Sequence, residues 1–273
     1  SDKTIETPFP GIAPDAPAIL PANDDDASQK LRAARTDAAT WSADSKARAT
    51  LFVDELVLDR SGIRGVLVDR DARAPFVSPL LGAYNAENLV VAAGLARAIG
   101  ISIDDVTRGL ASAVAPAGRL ERVSNEGEPL VVVDYAHSPD ALERALHVMR
   151  TVTSGKLFVV FGCGGDRDAG KRPIMGRIAA DIADGVVVTD DNPRSEDGDL
   201  IAMSIEKGIA ETKRKKRVDA AKLEPGTYAI ERARRFAIRA AIDAAHHHGD
   251  PASNAVLVAG KGHERTQTTG SLV

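Results

Sequence analysis

An α/β fold is predicted for this 273-residue sequence, with a Rossmann-like, doubly wound and mostly parallel sheet in its C-terminal part. Three observations carry that prediction. From residue 129 onward, short apolar runs alternate with helical patterns, the signature of βαβ units. The runs are apolar throughout, as expected of parallel strands covered on both faces. Each run leads directly into a cluster of Gly, Asp, Asn, Arg or His, and in such sheets ligands sit beyond the carboxyl ends of the strands.

The elements follow in order. "TPFPGIAPDAPAILPA" has prolines at 8, 10, 14, 17 and 21. Each fixes its own φ and disfavours helix in the residue before it. Residues 1–22 therefore read as an extended linker or the remnant of a preceding domain. Residues 23–116 read as part of a mixed α/β domain. Within it, "ATLFVDELVLD", "GIRGVLVDR" and "PFVSPLLG" are short antiparallel strands, with "DRSG" as a turn. "NAENLVVAAGLARAIG" (85–100) is a helix stopped by Gly100, and "SIDDVTRGLASAV" is a second helix capped by Ser102. Both periodicities break at "APAGRLERV" (115–123), which marks a boundary and leaves 117–273 as the second domain. There, "PLVVVDY", "KLFVVFG", "GVVVTD" and "NAVLVAG" are strands. The helices between them are "SPDALERALHVMRTV", with Ser138 as N-cap and Pro139 at the first helical position, "KRPIMGRIAADIA", "DLIAMSIEKGIAETK" and "IERARRFAIRAAIDAAHHHG".

Composition excludes several function classes. Hydrophobic residues make up 44% and charged residues 27%, enough for a sizeable core. A net charge of −4 argues against general binding to nucleic acid or an anionic membrane. The single cysteine, Cys163, allows no intrachain disulfide and fits a reducing, cytoplasmic setting. No apolar run approaches the ~20 residues of a membrane span, and the first residues lack the pattern of a signal peptide.

The loops suggest a small zwitterionic ligand. "AHSPD", "GCGGDRDAGKR", "DNPRSED" and "GKGHE" each follow a strand, so the topology puts all four on one edge of the sheet. Arg167 and Arg194 can each grip a carboxylate through a two-pronged hydrogen bond. Glu264 and loop carbonyls can hold an ammonium. Glycines at 162, 164, 165, 260 and 262 let the backbone approach a ligand closely. "GCGGDRD" lacks the Gly-Lys-Ser/Thr ending of a phosphate-binding P-loop. Blander roles stay open at this stage. Arg194 could pair Asp190 or Asp191 in a turn, Arg167 could pair Asp166 or Asp168, and His137 could cap the helix after it. "HHH" (246–248) suits a helix C-terminus or a metal, and "KRKKR" (213–217) suits a solvated surface. Cys163 has no base at useful spacing and is no nucleophile.

Taken together, several stretches resemble the Mur ligase family. They are "LGAYNAENLVVAA" (81–93), "GRLERV" (118–123), "VVDYAHSPDAL" (132–142), "VVFGCGGDRDAGKRPIMGRIA" (159–179), "VVTDDNPRSED" (187–197) and "AGKGHE" (259–264). The Gly-Asp-Arg and Asp-Asn-Pro-Arg blocks are similar to the branch of the family that adds diaminopimelate. The resemblance implies that 23–116 is the end of a mixed α/β central ATPase domain and that 117–273 is the C-terminal domain that binds the amino acid. It implies diaminopimelate contacts at Arg167, Asp191, Asn192, Pro193, Arg194, Gly260 and Glu264, and nucleotide contacts at Asn88, Arg119, Asp134 and His137. Lysine-adding relatives lack the arginine, because lysine has no second carboxylate for Arg194 to pair. The implied reaction is ATP-dependent. It joins meso-2,6-diaminopimelate to UDP-N-acetylmuramoyl-L-alanyl-D-glutamate through an acyl phosphate, in peptidoglycan synthesis. The implied partners are small molecules only, with neither nucleic acid nor membrane insertion.

The sequence also departs from the family pattern. It holds no Gly-Lys-Thr loop, and its hinge reads "APAGR" where relatives usually have proline directly before the glycine. It stops soon after "GKGHE", where relatives continue into a last helix. The resemblance puts the phosphate loop, a carbamylated lysine, the Mg2+ ligands and the UDP-binding domain upstream of residue 1. On that reading this chain holds no catalytic residue and no metal ligand, and alone it is expected to be inactive. Two alternatives are a Mur-type ligase for another diamino acid and a non-catalytic binding module.

Overall fold

Seven strands build the sheet that the alternating runs predict. The computed structural model describes residues 16–22, 25–34, 38–47 and 49–270. Its chain divides after Val114 into two compact units.

The first unit contains β1 (Ile19–Pro21), α1 (Asp26–Ala34), β2 (Ala39–Ser42), β3 (Leu51–Asp59), β4 (Gly62–Asp69), β5 (Ala72–Ser78), α2 (Ala83–Ala98) and α3 (Ile103–Ala111). Its sheet runs β1-β2-β3-β4-β5, parallel across the first three strands and antiparallel across the last three. Leu51, Val53, Ile63, Leu67 and Phe76 pack against Leu89 and Val90 of α2 and Val106 and Leu110 of α3. Ser102 caps α3 by accepting the Asp105 N–H at 3.1 Å. The proline-rich reading needs a change at residues 19–21, which form an edge strand on Ala39–Trp41 rather than a linker. An edge tolerates Pro21, because the missing N–H faces away from the ladder. The prolines at 8, 10 and 14 lie outside the described residues.

The second unit contains β6 (Glu121–Arg122), β7 (Leu130–Asp134), α4 (Pro139–Thr151), β8 (Leu157–Phe161), α5 (Lys171–Ile182), β9 (Gly185–Val188), α6 (Gly198–Thr212), β10 (Lys216–Arg217), β11 (Thr227–Ile230), α7 (Arg234–His247) and β12 (Ala255–Ala259). The strand order is β10-β11-β9-β8-β12-β7-β6, and every pairing is parallel except β6 with β7. The chain steps outward from β8 to β11, then returns through α7 to insert β12 between β8 and β7. That return is a topological switch, the usual place for a ligand crevice.

Alternation along the strands assigns the two faces. Val131, Phe158, Val160, Val187, Val256 and Val258 pack against Ala237, Ala241, Ala244 and Ala245 of α7. The small alanines let that helix lie close to the sheet. The intervening Leu130, Val132, Leu157, Val159, Phe161 and Leu257 are fully buried on the other face, which α4, α5 and α6 cover side by side. Leu142, Leu146, Met149, Met175 and Ile205 complete that layer. Truncating any of these large residues to Ala would cost about 2–5 kcal/mol.

Further elements differ from the sequence reading. "TYAI" is a strand, and the long helix starts at Arg234 rather than at Ile230. Ile230 instead pairs with Val188, and the Glu231 N–H is bound by the Val188 carbonyl at 2.9 Å. Within "KRKKR", Lys216–Arg217 is the outermost strand, paired with Thr227–Tyr228. A short, charged edge strand resists pairing with another chain.

Candidate functional site

Two loops at the carboxyl edge are wired into one another. The loop after β8 approaches the loop after β9 so closely that a Cβ at Gly165 would collide with the Pro193 carbonyl. The Gly165 N–H donates to the Asn192 carbonyl at 2.9 Å, and Arg194 Nη1 donates to the Gly165 carbonyl at 2.7 Å. Asp166 accepts from the Ser195 N–H at 3.2 Å and from its hydroxyl at 2.6 Å. The Ser195 hydroxyl is the largest cause holding the Asp166 carboxyl below its ordinary range. Glu196 accepts from the Asp166 N–H at 2.6 Å and from the buried Arg172 guanidinium at 2.8 Å. Asp166 and Arg194 both adopt left-handed backbone, with φ of 53° and 54°. Non-glycine residues hold that conformation at a cost, and such strain persists where neighbours over-determine it.

The segment after β12 closes over the same loop. The Arg194 N–H donates to the Thr268 carbonyl at 3.1 Å, and Thr268 N–H donates to Asn192 Oδ1 at 2.9 Å. Lys261, almost fully buried, donates to Asn192 Oδ1 at 3.0 Å and to Glu264 Oε2 at 3.2 Å. Its ammonium also lies 3.5 Å from Asp191 Oδ1. Asn192 Nδ2 donates to Glu264 Oε2 at 2.9 Å. Burial works to raise the Glu264 carboxyl, but the Asn192 amide and the Lys261 ammonium outweigh it and hold the group below its ordinary range. Behind this layer, Arg234 donates to the Ala259 carbonyl at 2.8 Å, and Arg232 binds Asp190 and Asp199.

A second patch surrounds Tyr135, just past β7. The Arg119 guanidinium lies 4.9 Å from the centroid of its ring. His137 meets the ring edge-on at 4.6 Å, and His263 lies at 5.5 Å. His137 Nδ1 is 2.9 Å from the Tyr135 carbonyl, and Lys171 Nζ donates to the His137 carbonyl at 2.6 Å.

The fold thus gathers Arg167, Asp191, Asn192, Pro193, Arg194, Gly260 and Glu264 on one edge of the sheet, with Arg119, Asp134 and His137 on the same unit. Asn88 sits on α2 of the first unit, where it donates to Asn85 at 3.3 Å. Arg194 pairs neither Asp190 nor Asp191, since those acids go to Arg232 and Lys261. Apart from its bond to Gly165, the Arg194 guanidinium makes no hydrogen bond among the described residues. Arg167 is exposed and, among the described residues, its side chain hydrogen-bonds only the Asp166 carbonyl, at 3.2 Å. Two acids expected as ligand contacts, Asp134 and Asp191, are buried and bonded within the chain. Asp134 is buried and accepts the Leu120 and Ala136 N–H groups, both at 2.8 Å. Asp191 is buried against Lys261. Both shape their loops, because a buried carboxylate needs donors close at hand. Pro193 is buried against Gly165 and contributes shape, and Gly260 takes a φ of +110° that a side chain would strain.

Of the remaining motifs, His247 Nδ1 is 2.6 Å from the Asp243 carbonyl and His248 Nε2 is 3.3 Å from that of Leu223. Cys163 is buried beside Met175, and burial pushes its thiol up to about 12. Sequence reasoning missed Lys261 and Tyr135 as members of the site. A lysine between two glycines directly after a strand was the available signal for Lys261. Arg172 and Arg232, whose acids lie 24 and 42 positions away, gave none.

Comparison with known proteins bears on this arrangement. A family model described as "Mur ligase, glutamate ligase domain" matches residues 118–262, just over half of the chain. The UDP-N-acetylmuramoyl-L-alanyl-D-glutamate–2,6-diaminopimelate ligase of Xanthomonas campestris pv. campestris (strain 8004) is 44% identical over 227 residues, 83% of this chain and 42% of that protein. The ligase of the same name from Gloeobacter violaceus is 40% identical over 232 residues, 85% of this chain and 44% of that protein. This chain therefore spans less than half the length of these curated relatives. A solved structure of such a ligase aligns with a TM-score of 0.67 at 31% identity, over 93% of this chain and 50% of that one. MurF from Acinetobacter baumannii aligns with a TM-score of 0.64 at 20% identity, over 89% of this chain and 48% of that one, a likeness of fold alone. Among the described residues, no helix is long and apolar enough to cross a membrane.

Proposed function

The chain belongs to the Mur ligase family, and from that premise we propose that it supplies the amino-acid pocket and part of the nucleotide site of an ATP-dependent amide ligase. The substrates are UDP-N-acetylmuramoyl-L-alanyl-D-glutamate and meso-2,6-diaminopimelate, and the pathway is peptidoglycan synthesis in the cytoplasm. Residues 23–116 belong to the central ATP-handling domain and residues 117–273 to the domain that binds the amino acid.

One observation supports the substrate above the rest. A single loop presents a guanidinium, Arg194, whose only hydrogen bond among the described residues is to the Gly165 carbonyl, and an amide, Asn192, tied at 2.9 Å to the carboxylate of Glu264. Opposite charges are thus held on one connected frame, as a ligand with both carboxylate and ammonium ends requires. Arg194 pairs the distal carboxylate, with Arg167 beside it. Glu264, held in place by the Asn192 amide, takes an ammonium. Asp191, Pro193 and Gly260 shape the pocket around it. A site built around such a group rejects an analogue that lacks it, because a buried donor set is then left unpaired.

The Tyr135 patch fits a nucleotide. Its ring offers a stacking face, and Arg119, His137, His263 and Lys171 offer positive charge and N–H donors around it. Asp134 serves that patch indirectly, by fixing the backbone at Leu120 and Ala136. ATP, with Mg2+, supplies the phosphoryl group that activates the D-glutamate carboxylate. The amine of diaminopimelate then attacks the acyl phosphate, forming the amide bond and releasing phosphate. This chain's part is to hold the amine in place, a contribution of positioning.

The test is incorporation of labelled diaminopimelate or lysine into the UDP-linked dipeptide by the complete gene product that contains this sequence, with ATP. ATP-dependent incorporation of diaminopimelate, at a kcat/KM far above that for lysine, is expected. Equal use of lysine would point to a ligase for another diamino acid. No incorporation alongside measurable diaminopimelate binding would point to a binding module.

A further inference from the structure

We infer that Lys261 is a positioning residue of the amino-acid pocket, which sets the orientation of the Asn192 amide and the Glu264 carboxylate and makes no contact with substrate itself. The inference rests on the proposed diaminopimelate pocket.

The donor and acceptor inventory leads to it. An ammonium has three N–H donors and no acceptor. Lys261 donates to Asn192 Oδ1 at 3.0 Å and to Glu264 Oε2 at 3.2 Å, and its ammonium lies 3.5 Å from Asp191 Oδ1 as an ion pair. Lys261 is also 8% exposed, so its ammonium faces these internal partners rather than a ligand. Its effect on Asn192 is specific. Asn192 Oδ1 accepts from both Lys261 Nζ and the Thr268 N–H, so the amide oxygen must face inward. The NH2 end is then turned out toward Glu264. Glu264 in turn receives both of its hydrogen bonds on Oε2. Oε1 receives none among the described residues, and it is the oxygen positioned to accept from an ammonium. Without Lys261, Asn192 Oδ1 and Glu264 Oε2 would each lose one of their two hydrogen bonds, and Asp191 would lose its buried counter-charge.

The charged and titratable groups around Glu264 give a second readout. Lys261 and His263 lie on its own loop, Arg234 faces it from α7, and Asp191 lies beyond Lys261 on the loop after β9. Glu264 has a lowered carboxyl pKa, so the ionised form that binds an ammonium persists above that pKa and is lost as pH falls through it. Removing the Lys261 ammonium removes one cause of the lowering. The acid limb of binding should then move to higher pH. A purely structural lysine would weaken the fold without moving that limb.

The experiment is an NMR titration of this chain with meso-diaminopimelate across the acid range, beside a thermal melt, for wild type, Lys261→Met and Lys261→Arg. In Lys261→Met, at least tenfold weaker binding and an acid limb displaced upward are expected. Lys261→Arg, which keeps the charge, should remain within about fivefold of wild type with its limb unmoved. If Lys261→Met does not fold, Lys261→Arg and the wild-type acid limb decide. A wild-type limb at or above the ordinary carboxylate value overturns the inference. So do Met and Arg variants that bind as wild type does, or that lose binding equally while folded. Absence of binding by wild type would instead remove the pocket reading, and the inference with it.

Discussion

The amino-acid pocket and the Tyr135 patch lie on the same sheet edge but are built in opposite ways. Around Arg194, three chain segments are joined by backbone and side-chain hydrogen bonds, two residues hold left-handed backbone, and a buried lysine sits at the centre. Around Tyr135, an exposed arginine and two exposed histidines lie against one ring, with few hydrogen bonds between them. The first arrangement fixes geometry before a ligand arrives, which suits discrimination between small, similar amino acids. The second offers charge and a ring face but little fixed geometry, which suits a larger ligand held from several sides.

The sharpest way to break this contrast is at Arg194. Arg194→Ala should weaken diaminopimelate use by about 2–5 kcal/mol, the range for truncating one partner of a buried charge pair. Lysine, which has no distal carboxylate, should lose far less. The measurement is kcat/KM for both amino acids in the complete gene product, beside a melt of each protein. Equal losses for both amino acids with a lowered melt would return Arg194 to a structural turn. Asn192→Ala should cost less, roughly 1.5–3 kcal/mol, the range for a hydrogen bond to a charged group, here Glu264 and Lys261.

Glycine substitutions sharpen the comparison through stability. Gly165→Ala forces a Cβ onto the Pro193 carbonyl, so the two loops must part. About 1–3 kcal/mol of lost stability is expected, as for overpacking elsewhere. Gly109, exposed in α3 with nothing near its missing Cβ, should respond with the opposite sign. Gly109→Ala should stabilise by about 0.5–1 kcal/mol, because glycine is a poor helix former. Thermal melts of both variants check the signs. Cys163 gives an independent probe of the loop. With its thiol pushed up to about 12, it should not react with a disulfide reagent at pH 8 in the wild type, and it should react in Gly165→Ala. Rapid labelling of the wild type would contradict a closed loop.

The sheet was legible because parallel strands buried on both faces write themselves as apolar runs, and "VVVD", "FVVF" and "GVVV" are such runs. Strand ends could be placed because the polar clusters begin abruptly after them. "TYAI" was not legible, since four residues beside a helix-forming stretch give no period. Of the site, Arg194 and Glu264 could be named because loop residues stand beside glycines and proline in recognisable blocks. What those residues touch could not be read. Arg194 had two nearby acids to choose from and took neither, because Arg232, from the far end of β11, had already taken Asp190. The burial of Asp134 and Asp191 could not be read either, since burial is decided by packing between segments distant in the chain.

The smallest expected effect lies at Tyr135. If the patch holds the nucleotide loosely, losing the ring should cost little affinity and almost no stability. A cation over an exposed ring is worth about 0.5–1 kcal/mol, so Tyr135→Leu should weaken ATP binding by roughly two- to fivefold, taking about 1.4 kcal/mol per tenfold. Arg119→Ala should give a similar loss, and the double variant should lose less than the sum, because each residue acts partly through the other. The melting temperature should hardly move, since no hydrogen bond of the Tyr135 hydroxyl is present among the described residues. The measurement is displacement of a fluorescent ATP analogue by ATP in the complete gene product, for the two single variants and the double. Unchanged affinity in Tyr135→Leu with a clear drop in melting temperature would mean that the ring is a packing element. The contrast between a fixed pocket and an open patch would then have to be redrawn, with both regions structural and only the Arg194 side left to bind a ligand.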